Sequence, residues 1–307
     1  MVPHPMSTLR PTLRNYLGTL VMVSSVALLS GGCKELEARR TIQDADKAYQ
    51  DGLYKEAIGA YEDALGKADI DIGHHNLAIA AYKAFQPGVP TPANVEYGEK
   101  AAKHFMAYLK EHPDDRGIID LLTTLWLDSE KYDEAIGYWK KELDKTPGDA
   151  KILNKLSTIN RQAKRYDDAL GWDQKRLESA KDNKEKFKVY RDIAQLQYSR
   201  LTKASLVDDE RLEVADSGIA ALQKAISFNP EANDVYGLMA TLYQFRALSH
   251  FSTWGQTIDA ASQSFYQKKH RQVQLASKAA VATGKPTSNN SAGQADTRPS
   301  DTKGEAQ

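Results

Sequence analysis

From residue 41 onward, apolar side chains return every three or four positions, with charged residues between them. That spacing places them on one face of a helix. Ala45 and Ala48 open the pattern, followed across a Gly52 turn by Tyr54, Ala57, Tyr61 and Ala64. Leu77, Ala78, Ala81 and Tyr82 mark the next helix, which a Pro- and Gly-rich stretch from Gln86 to Ala93 ends. Its partner is predicted over Tyr97–Lys110, carrying Ala101, Phe105 and Leu109. Further on, helices are predicted over Phe187–Tyr198 and Leu212–Phe228, and another opens at Tyr236 with Met239, Ala240 and Tyr243. The last helix is expected to turn Ile258, Ala261 and Phe265 inward and to continue polar through Lys268, Lys269, His270 and Arg271. The whole pattern predicts helices in consecutive pairs.

In the middle of the chain the pairs repeat with a fixed step. Tyr132-Asp-Glu-Ala135, Trp139 and Leu143 are followed by Tyr166-Asp-Asp-Ala169, Asp173 and Leu177, each 34 residues after its counterpart. The same step links Ile119 to Leu153 and Leu122 to Leu156. A period of 34 belongs to helix-turn-helix arrays, in which one repeat cannot bury its own apolar face and stacks on a neighbour. The segment Ile119-x-x-Leu122-Thr123-x-x-Trp126, then Ala135-x-x-x-Trp139, closing on Pro147, resembles a tetratricopeptide repeat (TPR).

That resemblance implies an all-α TPR solenoid of about six helix-turn-helix repeats wound as a right-handed superhelix. Ala57 to Ala101 spans 44 residues, whereas Ala101 to Ala135 returns to 34. Repeats 2, 5 and 6 are therefore expected to carry enlarged inner turns, at 86–94, 201–210 and 249–256. The expected organisation is a leader over 1–32, a short charged tether over 33–40, the array over 41–283 and a polar, disordered tail over 284–307.

Composition narrows the function classes. Basic and acidic residues balance at 41 each, so no net field favours nucleic acid or an anionic membrane surface. The single cysteine, Cys33, excludes disulfides within the chain. Ahead of it, Arg10 and Arg14 precede the apolar run Leu17–Leu29, which is too short to span a membrane. The run ends at Ser30-Gly31-Gly32-Cys33, which resembles the lipobox of bacterial lipoproteins, with Leu29 one place further from the cysteine than usual. The resemblance implies cleavage before Cys33 and acylation of that residue. Three acyl chains would hold more firmly than the marginal anchor that one supplies. By the same resemblance Lys34 next to the cysteine implies the outer membrane, and the chain is expected to face the periplasm.

Catalytic motifs are absent from the sequence. There is no H-E-x-x-H, P-loop, dinucleotide fingerprint or G-x-S-x-G. Among seven histidines, the adjacent His74 and His75 point in different directions on a helix. No metal and no cofactor is expected, and the chain reads as non-catalytic. The alternative from another class is an envelope enzyme whose site is built from the three insertions.

Binding chemistry remains. In TPR arrays the first helix of each repeat lines the concave side. The resemblance places Tyr49, Tyr82, Leu127, Arg161 and Tyr198 there, with Phe245 beside Gln244 in the last repeat. Such a row suits an extended or helical peptide. Lys151, Asn154, Lys188, Arg191 and Gln195 add a basic and polar stretch suited to an acidic segment or a terminal carboxylate. The carboxylate clamp of some TPR domains is matched only loosely, since Thr158 and Gln195 stand at its Asn places. Lipobox and array together resemble the pilotin lipoproteins that help secretins of type IV pili assemble. The partners implied are cell-envelope proteins, with the membrane reached through acylated Cys33 and no nucleic acid. An adaptor for peptidoglycan enzymes, gliding or secretion machinery is the other binding reading. Oligomeric state is left open.

Overall fold

The computed structural model describes residues 33–282; the expected leader and tail lie outside the described residues. Among the described residues there are twelve α-helices and no strand. They are α1 (33–50), α2 (Tyr54–Lys67), α3 (Asp71–Ala84), α4 (Pro92–Glu111), α5 (Arg116–Asp128) and α6 (Tyr132–Lys145). Then follow α7 (Ala150–Gln162), α8 (Tyr166–Ser179), α9 (Asn183–Lys203), α10 (Asp208–Phe228), α11 (Asn233–Ser249) and α12 (Thr253–Ala282). Helix α1 already runs through 33–40, where a tether was expected, and Ala38 is buried. The chain divides into two compact units, Met1–Ala135 and Ile136–Gln307, with the division falling inside α6.

The fold is all-α and its helices pair as tetratricopeptide-type hairpins. In the first unit α2 packs on α3, α3 on α4 and α4 on α5; in the second, α7 to α12 each pack on the next. Short connections make such neighbours antiparallel. Small residues at the signature places allow the close approach: Ala57, Ala101, Ala135 and Ala169 have no exposed surface. Gly218 holds that place in α10, where an added Cβ would lie 2.8 Å from Leu242 of α11. Leu77 and Phe105 fill the first unit, and Leu196, Leu222 and Met239 the second.

Turns follow the same period. Two residues before the tyrosine that opens α2, α6 and α8 stand Gly52, Glu130 and Lys164, all with positive φ (76°, 56° and 60°). Each closes the preceding helix with a left-handed residue, and the next N–H returns to a carbonyl five residues back, as Lys131 does to Trp126 at 2.8 Å. At the opposite turns Asp115 and Asp149, again 34 apart, cap α5 and α7 by accepting backbone N–H bonds.

The three enlarged repeats take up their extra residues mainly as helix. Their inner connections are 85–91, 204–207 and 250–252, while α4, α9, α10 and α12 run to 20, 21, 21 and 30 residues. Regular members such as α5 and α7 have 13. The expected helix starts at Tyr97, Phe187 and Leu212 therefore lie well inside α4, α9 and α10. Pro92 belongs to α4 because its fixed φ and missing N–H suit a first turn.

One expectation is overturned. Ile258, Ala261 and Phe265 of α12 face outward, and Phe265 keeps 59% of its surface exposed. Asp259 faces inward instead, 1% exposed, held by Arg246 at 2.6 and 2.9 Å and by His250 at 3.1 Å. Burying a carboxylate demands a charged partner. Arg246 of α11 supplies it, and α12 is rotated away from its expected register.

Candidate partner-binding surface

The predicted row falls on both units. Tyr49, Tyr82 and Leu127 lie in the first and are half-buried. The two tyrosines pack within their own unit: Tyr49 against Tyr54 at 5.5 Å between ring centroids, and Tyr82 edge-on to Phe105 at 6.2 Å. All other candidates belong to the second unit.

There the first helices of successive hairpins each present a stripe at helical spacing. On α7, Lys151 and Asn154 are exposed and Arg161 half-exposed, opposite the buried Ile152, Leu153, Leu156 and Ile159. On α9, Lys188 and Gln195 are exposed and Arg191 and Tyr198 half-exposed, opposite Val189, Ile193 and Leu196. Steps of three, four and three residues on α9, and of three and seven on α7, keep each set on one face. Helices α9 and α11 touch, which brings Tyr198 edge-on to Phe245 at 6.0 Å. Phe245 also receives the Arg211 guanidinium 5.8 Å from its ring centroid.

Charge on this stripe is partly spent. Arg191 reaches Asp234 of α11 at 3.5 Å and Asp192 at 3.7 Å. It therefore ties α9 to α11, leaving exposed Lys151 and Lys188 as the basic groups best placed for an incoming acid. The surface combines two flat aromatic rings, two lysines and two amides. Such a set binds a peptide by stacking, ion pairing and hydrogen bonds to its backbone.

Sequence reasoning missed the buried polar joints. In the second unit Arg176 bonds Asp173 at 2.6 Å and Asp192 of α9 at 3.0 Å, joining α8 to α9. Asp173 stands where Trp139 stands one repeat earlier, and burial pushes its carboxyl up against the opposing pull of Arg176. Its place in the signature, an acid where an aromatic belongs, was the available signal. In the first unit His74 Nδ1 lies 2.7 Å from His104 Nδ1, and His74 Nε2 lies 2.6 Å from Asp69. His104 is 8% exposed; burial, reinforced by His74, pulls it down to about 4. A shared-proton pair of this kind needs one neutral ring. No cluster of three or more metal-ligating side chains occurs among the described residues.

The 85–91 connection borders a cavity of about 320 Å³ with Phe85, Val89, Val95, Gly98 and the 128–131 turn. Asn94 fastens that connection, accepting from the Gln86 N–H and donating to the carbonyls of Gln86 and Val89. Lys131 and Glu99 at its rim pair at 3.1 Å.

No family model matches the chain, and comparison with curated proteins finds no match either. Among solved structures, it is similar to the MamA protein, with 17% identity over 60% of this chain and 87% of that one, at a TM-score of 0.41. It is similar also to a TPR repeats protein, BF2334 from Bacteroides fragilis NCTC 9343, at 12% identity over 67% and 98% of the two chains, TM-score 0.40. YrrB, a TPR protein with an unusual peptide-binding site, is 14% identical over 73% of this chain and 97% of that one, TM-score 0.38. The assignment of repeats here rests on this chain's own residues.

Proposed function

We propose that the protein is a non-catalytic scaffold, anchored through acylated Cys33 in the outer membrane and facing the periplasm, that binds segments of cell-envelope proteins. The observation that carries the binding role is the stripe on α9 and α11. There Lys188, Gln195, Tyr198 and Phe245 present cationic, amide and aromatic groups side by side. An extended or helical acidic peptide is the ligand this chemistry fits. Support for the anchor is the position of the single cysteine after small residues, its side chain exposed. Within this reading the finer role is pilotin-like assistance to secretin or pilus assembly, in preference to an adaptor for peptidoglycan enzymes, gliding or secretion machinery.

The test places a photo-crosslinking amino acid at Gln195 and identifies captured envelope proteins in the native cell. Capture should fall sharply in Lys151→Glu with Lys188→Glu. Capture of no envelope protein, or capture unchanged by the reversals, overturns the groove. Cys33→Ser should move the protein out of the membrane fraction; unchanged retention contradicts the anchor.

A further inference from the structure

Helix α12 leaves an apolar stripe largely uncovered by its own unit, Phe265 touching only the edge-on ring of Tyr266 at 5.0 Å. Trp254, Ile258, Ala261 and Phe265 lie within a sector about 60° wide on a helix of 3.6 residues per turn. Trp254 is 76% exposed, and Phe251 in the preceding connection and Leu248 at the end of α11 are 79% and 72% exposed. A different face packs inward. Tyr266 stacks on Tyr243 at 5.5 Å, His270 meets the Asn233 carbonyl at 2.9 Å, and Val273 joins the core of the second unit. Thus the stripe is a second face of α12.

We propose that this face binds a second copy of the chain, α12 against α12 in antiparallel sense. The order of side chains supplies the argument. With the twofold axis between residues 259 and 260, Trp254 of one copy meets Phe265 of the other. Ile258 then meets Ala261, so each bulky group finds a ring or a small residue and no large pair collides. A parallel pairing would set Trp254 on Trp254 and leave a gap where Ala261 meets Ala261.

Charge points the same way. The exposed cations Lys268, Lys269, Arg271 and Lys278 all lie in the C-terminal half of α12, and its N-terminal half carries only the buried Asp259. Antiparallel pairing therefore keeps cations apart and brings Lys268 toward Phe251 of the other copy, a favourable placement of a cation against a ring. Parallel pairing would oppose like charges.

The area is adequate. Five large side chains from Leu248 to Phe265 would remove roughly 600 Å² per copy from water, the lower bound of stable specific interfaces. Residues 283–307 offer no apolar side chain larger than alanine or proline to cover it, since they contain no Val, Ile, Leu, Met, Phe, Tyr or Trp.

The experiment is sedimentation of the full chain carrying Cys33→Ser, which prevents acyl chains from adding their own association. The chain should sediment as a dimer at micromolar concentration. Trp254→Glu with Phe265→Glu should give a monomer of unchanged helical circular dichroism, since both side chains are exposed. A chain lacking residues 1–32 should still dimerise. Register is read by mixing Ile258→Cys and Ala261→Cys chains, both in the Cys33→Ser background, under mild oxidant; the mixed disulfide should dominate over either homodimer. A monomeric wild type, a dimer indifferent to the two glutamates, loss of dimer with residues 1–32, or absence of the mixed disulfide overturns the proposal. So does a monomer whose stripe carries it onto phosphatidylethanolamine–phosphatidylglycerol vesicles.

Discussion

The two compact units use the same helical hairpins but bury opposite kinds of titratable group. In the first, His104 sits neutral between α3 and α4, its ring pulled down to about 4 by burial and by His74. In the second, burial pushes the Asp173 carboxyl up, and Asp259 is held inside by Arg246. A buried base with a lowered pKa binds fewer protons folded than unfolded, so its contribution is complete above about 6.5 and is lost as pH falls toward 4. A buried acid with a raised pKa binds more protons folded than unfolded. Its joint gains stability as pH falls through the folded pKa toward 3.8. Similar packing thus produces units whose responses to acid have opposite sign, because the desolvation penalty falls on whichever form is charged.

The strongest way to break this contrast is Arg246→Ala. It leaves Asp259 buried without its bidentate partner and should cost roughly 3–5 kcal/mol, read as lost amide-exchange protection in α11 and α12. Arg246→Leu with Asp259→Leu should recover most of that loss, since removing both charges also removes the desolvation penalty. Arg176→Ala should cost less, about 2–3 kcal/mol at neutral pH, because burial already raises the Asp173 pKa and loss of the opposing cation lets the carboxyl take up a proton. Stability of that variant should rise on mild acidification; a fall would contradict the assignment of Asp173.

Acid itself is the next lever. Between pH 7.5 and 5, the first unit should lose about 2 kcal/mol, seen as weaker exchange protection in α3 and α4 after correction for intrinsic rates. His104→Gln should flatten that dependence while leaving a hydrogen-bonding partner for His74. The smallest effect is a control indifferent to pH. Lys164→Gly should stabilise the second unit by about 0.5–1 kcal/mol, since only glycine enters the left-handed region without cost. Gly52→Ala should destabilise the first by a similar amount, although nothing lies within 4 Å of the added Cβ. Both are read as shifts in denaturant midpoint.

How much of this was legible beforehand varied by element. The regular pair from Ile119 to Leu177 was plain, because a local period of 3.6 and a repeat of 34 both lie along the chain. Cap residues Asp115 and Asp149 and the turn at Gly52 belong to the same local code. The long helices α4 and α9 were cut short, because α9 opens on the polar turn Asn183-Lys-Glu-Lys and the first turn of α4 falls in a Pro- and Gly-rich stretch that reads as loop. Of the candidate surface, the stripes on α7 and α9 were found at helical spacing, but the engagement of Arg191 by Asp234 of α11 was not.

By itself, the sequence determined the helices, their pairing and the small residues that let hairpins stack, all of which follow from neighbours within a few turns. Tertiary structure alone decided which face of α12 looks inward and which charges are buried. His74 meets His104 from 30 residues away, and Arg246 meets Asp216 from 30. Apolar spacing marked Ile258, Ala261 and Phe265 as core. The inward pull of Arg246 on Asp259 outweighed it, since a buried carboxylate must find its cation wherever the fold supplies one.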